Sequence, residues 1–456
     1  MERLGIEEII HACSAIPFNC GSVDQITGIT TDSRKLQGGD LFVALKGEKF
    51  DGHEYAETAV KNGAAVVLSH QKLKGSTPYL LVEDTLAALH KLAKYYKSKF
   101  NIPFIAITGS SGKTTTKDMI ASVLYEKYNV LKTEGNFNNA IGLPLTLFRL
   151  EKGHEICVIE MGMNSLGEIE VLADIVRPQA GVITNVGTAH IENLITRENI
   201  LRAKLEMFTY FNSSNTAVIN GDNDMLQKLE TKSYKVIRYG LESQNDCRAV
   251  NIVEKGEAGI AFDVLYQGKT ESYQVPMPGI HNVYNALSAI SIAKMYGLTS
   301  GEINNGLANF KPSKMRMEIF KGCMNTKIIN DAYNANPDSM MAAINVLSSM
   351  DAPGRRVCIL GDMLELGSYA AEGHSQVGRF AVENKVDVII AVGKMASDII
   401  RGASMVGANQ QLYCFDNNSE VIDNLKGIIK YNDTILVKGS RVMHMENIVE
   451  SLREGR

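Results

Sequence analysis

The first segment of this chain whose residue types and spacing could do chemistry is a glycine loop. Residues 105–107 are apolar, and T-G-S-S-G-K-T-T follows at 108–115. Backbone N–H groups of such a loop can surround phosphate oxygens, Lys113 can reach the outer phosphates, and the Thr114 hydroxyl can bind Mg²⁺. The commonest form of the motif has a glycine where Ile107 stands, so this is a shorter variant. The alternative is a glycine turn without a ligand, but the strand before it and the helical pattern at 117–128 favour a nucleotide site. The predicted nucleotide contacts in the loop are Gly109, Ser110, Ser111, Gly112, Lys113, Thr114 and Thr115.

Two further polar groups end apolar runs that should lie beside this loop. Glu160 closes the run 156–161, and the next strand leads into T-N-V-G-T-A-H, which ends at His190. The carboxyl ends of parallel strands meet at one edge of a sheet, so Glu160 could bind Mg²⁺ together with Thr114. The alternatives are a helix cap or surface acid for Glu160 and a structural role for His190.

An amide-rich loop at 136–144 contains Asn136, Asn138 and Asn139 beside a glycine and a proline. Amides both donate and accept hydrogen bonds, which suits the recognition of carbonyl and carboxylate groups. An ordinary asparagine-rich turn is the alternative. Near the N-terminus, Thr31, Asp32, Ser33 and Arg34 could clamp a phosphate or could simply cap a turn.

Polar loops also follow the predicted strands of the last third of the chain, at 327–330, 356–360, 386–392 and 434–437. Asp331 opens a loop dense in polar side chains, and K-G-S-R at 438–441 offers N–H groups and two cations to an anion. We expect these loops to form one substrate-binding rim. A tight turn with solvated charges is the alternative for 438–441. The rim residues are Tyr333, Asn334, Asn336, Lys438, Ser440 and Arg441.

The elements that must position these residues fall into three blocks along the 456 residues. Residues 1–83 are predicted to form a small α/β module, and 84–312 a P-loop-type, doubly wound, mostly parallel sheet. Within the second block, period-two stretches at 235–275 predict a small antiparallel excursion before a helix near Asn282. Residues 313–456, after a hinge at Pro312, are predicted to be Rossmann-like. The fold class is therefore α/β with three domains.

Composition narrows the class of protein. The formal net charge is -4, and no basic run or aromatic-basic stripe suggests nucleic acid. No apolar stretch reaches eighteen residues, so no membrane span is expected. The seven cysteines are scattered without a C-x-x-C pair, which favours reduced thiols and a cytoplasmic location.

Taken together, these motifs resemble those of the Mur ligases, the ATP-dependent amide ligases that build the peptide of peptidoglycan precursors. The resemblance rests on the glycine loop, the amide loop, Glu160, the segment ending at His190, R-A-K at 202–204 and H-N-V-Y-N at 281–285. Segments 331–340, 360–367 and 437–441 resemble those of the member that adds a dipeptide. The resemblance implies that D-alanyl-D-alanine is joined to UDP-N-acetylmuramoyl-tripeptide through an acyl phosphate, with ATP and Mg²⁺ as cofactors.

The resemblance also implies roles for residues around the phosphates. Lys113 would hold the β- and γ-phosphates, while Thr114 and Glu160 would bind one Mg²⁺. His190 and Lys204 would bind a second, with Lys204 carbamylated, because an ammonium group cannot ligate a cation.

Other implied roles concern nucleotide and substrate. Asn282 would contact adenine, and Arg316 and Asp331 would reach ATP from the third domain. Residues 31–34 would bind the UDP end, and the asparagines of 136–139 the muramoyl-peptide. The residue before Arg316 is a methionine where the resemblance leads us to expect a glycine.

Two alternatives stay open at the level of sequence. One is another amide ligase of the superfamily, of the Mur or folylpolyglutamate type. The other is a switch protein that binds ATP without making bonds. For the ligase we expect a monomer.

Overall fold

The computed structural model describes residues 1–407 and 409–455, which form an α/β protein with three main sheets. The first sheet has five strands in the order β2-β7-β6-β5-β4, all parallel except β2, and β1 pairs with β3 beside it. The elements are β1 (Leu4–Gly5), α1 (Ile6–Cys13), β2 (Ile16–Phe18), β3 (Gln25–Ile26), β4 (Gly28–Thr30), β5 (Asp40–Val43), α2 (Ala56–Lys61), β6 (Ala64–Ser69) and β7 (Tyr79–Leu81).

The central sheet has nine strands in the order β16-β15-β14-β13-β12-β11-β8-β10-β9. Its elements are α3 (Thr85–Ser98), β8 (Phe104–Thr108), α4 (Lys113–Leu124), β9 (Val130–Lys132), α5 (Gly142–Leu147), β10 (Ile156–Glu160), α6 (Glu168–Val176), β11 (Ala180–Ile183), α7 (Ile191–Leu194), α8 (Arg197–Leu205), β12 (Thr216–Asn220), β13 (Lys235–Gly240), β14 (Cys247–Glu254), β15 (Ile260–Tyr266), β16 (Lys269–Val275), α9 (His281–Met295) and α10 (Ser300–Ala308). The segment 235–275 was predicted as an antiparallel excursion, and this is only half correct. β13 and β14 continue the parallel sheet, and β15 runs antiparallel to both of its neighbours, β14 and β16.

The third sheet has the order β17-β18-β22-β19-β20-β21 and is parallel except for the edge strand β17. Its elements are β17 (Glu318–Lys321), β18 (Lys327–Asn330), α11 (Pro337–Ser349), β19 (Arg356–Gly361), α12 (Ala370–Glu383), β20 (Val388–Val392), α13 (Ala396–Ser404), β21 (Gln411–Phe415), α14 (Asn418–Ile428), β22 (Thr434–Lys438) and α15 (Glu446–Glu454). The strand prediction omitted β17 and β21. Both are partly exposed edge strands without a buried apolar run.

The central sheet buries both of its faces, as apolar parallel strands do when other layers cover each side. In β8, Ile105 and Ile107 belong to a core that continues into the third sheet through Ile329. Phe104 and Ala106 point the other way, into a core shared with the first module. Apolar packing therefore joins the central sheet to each of the other two. The three separate main sheets confirm the predicted three-domain α/β class. None of the helices that the structure describes has both the length and the apolar composition to cross a bilayer.

Candidate active site

The glycine loop joins the end of β8 to the start of α4, and two of its glycines are required by geometry. Gly112 caps the helix with a φ of 75°, a left-handed conformation that glycine adopts at low cost. A Cβ at Gly109 would lie 1.8 Å from Oγ1 of Thr184, so only glycine fits there. α4 begins at Lys113 and ends at Leu124, earlier at both ends than the predicted 117–128. The helix N-terminus therefore opens directly onto the loop, where it favours an anion.

Asn185 braces this loop, a role that motif reasoning did not assign to it. Its Oδ1 accepts hydrogen bonds from the backbone N–H groups of Ser110 and Ser111, at 3.0 and 2.9 Å, and its Nδ2 donates to Oγ of Ser111. Lys113 lies against the same loop and donates from Nζ to the carbonyl oxygen of Gly109 at 2.8 Å. The signal in sequence was the position of Asn185 at the end of β11, next to the loop.

A cleft of about 640 Å³ opens where the central and third sheets meet. It brings together predicted residues from the glycine loop, the amide loop, the strand ends and the third domain. Those on its lining are Ser110, Ser111, Gly112, Lys113, Thr114, Thr115, Asn136, Asn138, Asn139, Glu160, His190, Asn282, Arg316, Asp331, Tyr333, Asn334, Asn336 and Lys438.

Glu160 is held in the cleft wall with one carboxylate oxygen unsatisfied. The residue is 2% exposed, and its Oε1 accepts a hydrogen bond from Nδ2 of Asn138 at 2.8 Å. Its backbone N–H donates to Oγ1 of Thr133. Oε2 is buried and has no hydrogen-bond partner among the described residues. A buried carboxylate oxygen without a donor fits a divalent cation, because hard cations take oxygen ligands.

No three His, Cys, Asp or Glu side chains in the described part of the chain form a ready-made metal cage. A cation bound at Glu160 would therefore take its remaining ligands from the Thr114 hydroxyl, phosphate oxygens and water, as Mg²⁺ commonly does in nucleotide sites.

Lys204 lies outside the cleft lining and is 1% exposed. Desolvation, and then the charge of Lys113, lower the pKa of Lys204 well below its ordinary value. Desolvation also lowers the pKa of Lys113, although the nearby Glu160 carboxylate opposes that change. Lys204 therefore carries its amine in a setting that favours the neutral form.

Arg316 reaches the glycine loop from the third domain. Its Nη2 donates to Oγ1 of Thr114 at 3.0 Å, and its guanidinium lies 4.2 Å from the ring centroid of Tyr333. The preceding Met315 has a φ of 59°, a left-handed conformation that glycine would adopt more easily than methionine does. Arg316 therefore lies in the site even though the methionine before it departs from the expected pattern.

The loops after β18 and β22 are tied together on the same wall. Nζ of Lys438 lies 2.5 Å from Oδ2 of Asp331 and donates to the carbonyl oxygen of Asn334 at 2.9 Å. Asn282 also lines the cleft, but its side chain already bonds the carbonyl oxygen of Pro278 and Nδ2 of Asn285. Contact between Asn282 and adenine stays a prediction.

The third domain touches the segment after β11 at two more points. Oδ2 of Asp338 accepts from the backbone N–H of Thr188 at 3.4 Å, and a Cβ at Gly187 would lie 1.9 Å from the same oxygen. Nδ1 of His190 lies 2.6 Å from Oε2 of Glu365, a cleft residue that sequence reasoning had not selected although it lies in the segment 360–367. The structure therefore has the central and third domains closed on each other.

Several predicted site residues lie away from the cleft lining: Thr31, Asp32, Ser33, Arg34, Ser440 and Arg441. The Arg34 side chain is 86% exposed and pairs with Asp32. Ser440 is buried and accepts a hydrogen bond from the backbone N–H of Leu364, and Arg441 pairs with Glu446. Ser440 and Arg441 thus stabilise loops behind the rim, and their contact with substrate stays a prediction.

Three family models match the chain. They are the Mur ligase family catalytic domain at residues 25–97, the Mur ligase middle domain at 107–293 and the Mur ligase glutamate ligase domain at 315–441. The chain is 39% identical over 432 residues to the UDP-N-acetylmuramoyl-tripeptide–D-alanyl-D-alanine ligase of Bacillus subtilis, covering 94% of this chain and 93% of the relative.

Two solved structures share the whole architecture. A crystal structure of MurF from Acinetobacter baumannii superposes with a TM-score of 0.93 at 32% identity, covering 100% of this chain and 99% of the other. The MurF ligase of Thermotoga maritima in complex with ADP superposes with a TM-score of 0.84 at 28% identity, covering 94% of this chain and 97% of the other.

Proposed function

Because the chain belongs to the Mur ligase family, we propose that it joins D-alanyl-D-alanine to UDP-N-acetylmuramoyl-tripeptide while ATP is cleaved to ADP and phosphate. The product would be the pentapeptide precursor of peptidoglycan. The observation that carries the proposal is the identity of 39% across 94% of the chain to a ligase of that name. The ADP complex of a structural relative supports the choice of nucleotide.

The reaction proceeds through two transfers. The terminal carboxylate of the tripeptide attacks the γ-phosphate of ATP, so that a P–O bond to ADP breaks and an acyl phosphate forms. The free amine of D-alanyl-D-alanine then attacks the acyl carbon, forming the amide, and phosphate leaves with the bonding electrons while the amine loses a proton. The glycine-loop N–H groups, Lys113 and Arg316 would bind and orient the phosphates, which is the main catalytic work in such transfers.

Mg²⁺ fits the oxygen ligands of this site. We expect Thr114 and Glu160 to hold one ion, and His190 and carbamylated Lys204 a second. A bound ion would neutralise charge that develops on the transferred phosphate. The unsatisfied Oε2 of Glu160 supports the first assignment.

The environment of Lys204 supports its carbamylation. Carbon dioxide reacts only with a neutral amine, and burial, which lowers the pKa of Lys204, favours that form. We expect mass spectrometry of the intact protein at neutral pH to show an added carbon dioxide that is absent in Lys204→Met. Recovery of the same adduct in the variant would contradict the assignment.

Several further assignments belong to the proposal. Residues 31–34 would bind the UDP end, and Asn136 and Asn139 the muramoyl-peptide, while Asn138 would position Glu160. The domain boundaries would be 1–83, 84–312 and 313–456. We propose a monomer in the cytoplasm, and the seven cysteines form no disulfide in the structure.

The decisive experiment measures ADP release by the purified protein with UDP-N-acetylmuramoyl-tripeptide and different amines. Tripeptides ending in lysine and in diaminopimelate are tested in parallel, because the third residue of the acyl substrate is not determined by the sequence. We expect ADP release with D-alanyl-D-alanine and none with glutamate or any other single amino acid. Release with a single amino acid alone would favour another amide ligase of the superfamily. Nucleotide binding without amine-dependent release would favour a switch protein.

A further inference from the structure

We propose that Glu365 is a positioning residue for His190: a carboxylate carried by the third domain orients the imidazole of the central domain towards the cleft. The inference rests on the proposed function, because it concerns the assembly of the same site. It also assigns a task to a residue that motif reasoning left without one. The loop that carries Glu365 is residues 362–367, between β19 and α12, and is called the β19 loop below.

Two contacts join the β19 loop to the segment that carries His190. Oε2 of Glu365 lies 2.6 Å from Nδ1 of His190, and the carbonyl oxygen of Glu365 accepts from the backbone N–H of Glu192 at 3.2 Å. The 2.6 Å separation places the carboxylate directly against Nδ1, although the angle at Nδ1 lies outside that of a regular hydrogen bond. Side chain and backbone of one residue therefore both engage the same short segment.

The backbone on both sides of the contact is in an uncommon conformation. His190 and Glu365 have φ values of 64° and 62°, which few residues other than glycine adopt. Ile195, at the other end of the segment, has a φ of 67° although it is β-branched and 70% exposed. Such conformations persist where surrounding contacts hold them, and they concentrate at functional sites.

Buried groups hold the β19 loop on either side of Glu365. Nε2 of His374 accepts from the backbone N–H of Met363 at 2.8 Å, and its Nδ1 lies 2.7 Å from the carbonyl oxygen of Ala370. Oγ of Ser440 accepts from the backbone N–H of Leu364 at 2.9 Å. His374 and Ser440 are both buried, so the Glu365 backbone is fixed by its own domain before it meets His190.

A carboxylate beside Nδ1 has a defined chemical consequence. It favours the proton on Nδ1, so that Nε2 keeps its lone pair and can bind a cation. Among the described residues, none forms a hydrogen bond to Nε2 of His190. Because Glu365 and His190 belong to different domains, this orientation exists only in the closed arrangement. Closure would then complete the cation site at His190 as well as bring Arg316 to the phosphates.

The first test measures binding and needs no acceptor substrate. Mn²⁺ is titrated by electron paramagnetic resonance into the full-length protein with a non-hydrolysable ATP analogue, for the native chain, Glu365→Gln and Glu365→Ala. Removal of a carboxylate that orients a metal-binding histidine typically weakens metal binding by about 10–100-fold. In Glu365→Ala we expect a loss of affinity of this size at one of the two proposed cation sites. In Glu365→Gln we expect a smaller loss, because the amide oxygen can still accept a hydrogen bond from Nδ1.

The matched control is Glu192→Gln, an exposed neighbouring acid whose side chain makes no contact that would orient His190. It should bind Mn²⁺ as the native chain does. Unchanged Mn²⁺ affinity in both Glu365 variants, with unchanged melting temperatures, would overturn the proposal. A rise only in the KM for D-alanyl-D-alanine would overturn it too, because Glu365 would then contact the substrate amine.

The second test is free of metal. Nitrogen-15 NMR of the histidine side chains, with the ATP analogue and a chelator present, reports the tautomer of His190. The signal of His190 is identified by its absence from the spectrum of His190→Gln. We expect the proton on Nδ1 in the native chain and a shift towards Nε2 in Glu365→Ala. The same tautomer in both would contradict the orientation by Glu365. Both tests can succeed even if D-alanyl-D-alanine never stimulates ADP release, which would count against the proposed function alone.

Discussion

The cleft and the segment 31–34 of the first module were both predicted to bind phosphates, yet the structure builds them differently. In the cleft, several polar groups are held by residues distant in the chain, as Arg316 is by Thr114 and Glu160 is by Asn138. In the first module, Arg34 pairs only with Asp32 among the described residues, two positions away, and its side chain is exposed to solvent. A site for phosphoryl transfer needs groups held in place before the reaction, whereas a recognition site can become ordered around its ligand. The comparison predicts that substitutions in the cleft change catalysis and that those in the module change substrate affinity.

The largest expected effect is that of Lys113→Ala. Removal of the Lys113 ammonium group, which would hold the outer phosphates, should lower kcat/KM for ATP by about 10²–10³-fold. Loss of one preorganised hydrogen-bond donor has an effect of this size in other active sites. The measurement is steady-state ADP release, with exposed Lys311→Ala as the control. Near-native activity in the Lys113 variant would remove the distinction between the two regions.

Arg316→Ala should have the next largest effect. Its hydrogen bond to Thr114 crosses from the third domain to the glycine loop, and hydrogen bonds to charged groups are worth about 1.5–3 kcal/mol. We expect kcat/KM to fall about 10–100-fold, with Arg401→Ala, a surface arginine of the same domain, unchanged. Equal effects of both variants would indicate general destabilisation of the third domain.

Arg34→Ala should separate affinity from catalysis. If residues 31–34 bind the UDP end, the KM for the UDP-tripeptide should rise by about tenfold or less, the scale of a single exposed charge contact. The KM for ATP and kcat should stay as in the native chain. Lys72→Ala, which removes another exposed charge of the module, is the control. A changed kcat would mean that the first module acts on the chemical step.

The smallest effect concerns pH and compares two aspartates. The Arg34 guanidinium lowers the pKa of Asp32 to about 2, so this carboxylate stabilises the fold above its unfolded pKa, and the stabilisation is lost as pH falls through that window. Desolvation raises the pKa of Asp338, so its ionisation costs stability as pH rises through the folded value.

Melting temperatures of Asp32→Asn and Asp338→Asn between pH 3 and about pH 7 test the pair of aspartates. Relative to the native chain, Asp32→Asn should lose stability as pH rises and Asp338→Asn should gain it. Because the Asp32 pair is largely exposed, its effect should stay below about 1 kcal/mol. If the stability of both variants relative to the native chain changed with pH in the same direction, the two carboxylates would not be in the different environments that the structure gives them.

Much of the fold was predictable because buried parallel strands leave a strong local signal. β8, β10, β18 and β22 are short, continuous apolar runs, and the polar residue after each run predicted which loops would meet. β17 and β21 were missed because edge strands are exposed on one side and do not need such a run. The direction of β13 and β14 was also wrong, since the pairing of a strand depends on its neighbours in space.

By itself, the sequence determined which groups are available for chemistry: the glycines that admit a close loop, the lysine and hydroxyl at its exit, and the carboxylate and histidine at strand ends. It also determined the α/β class, because apolar periodicity and turn residues act locally. Only the tertiary structure decided which of these groups are positioned. Asn138 holds Glu160, Asn185 braces the glycine loop, and Glu365 meets His190. The physical reason is that such contacts join segments from different strands and domains, so their distances follow from the packing of whole sheets and not from any local spacing.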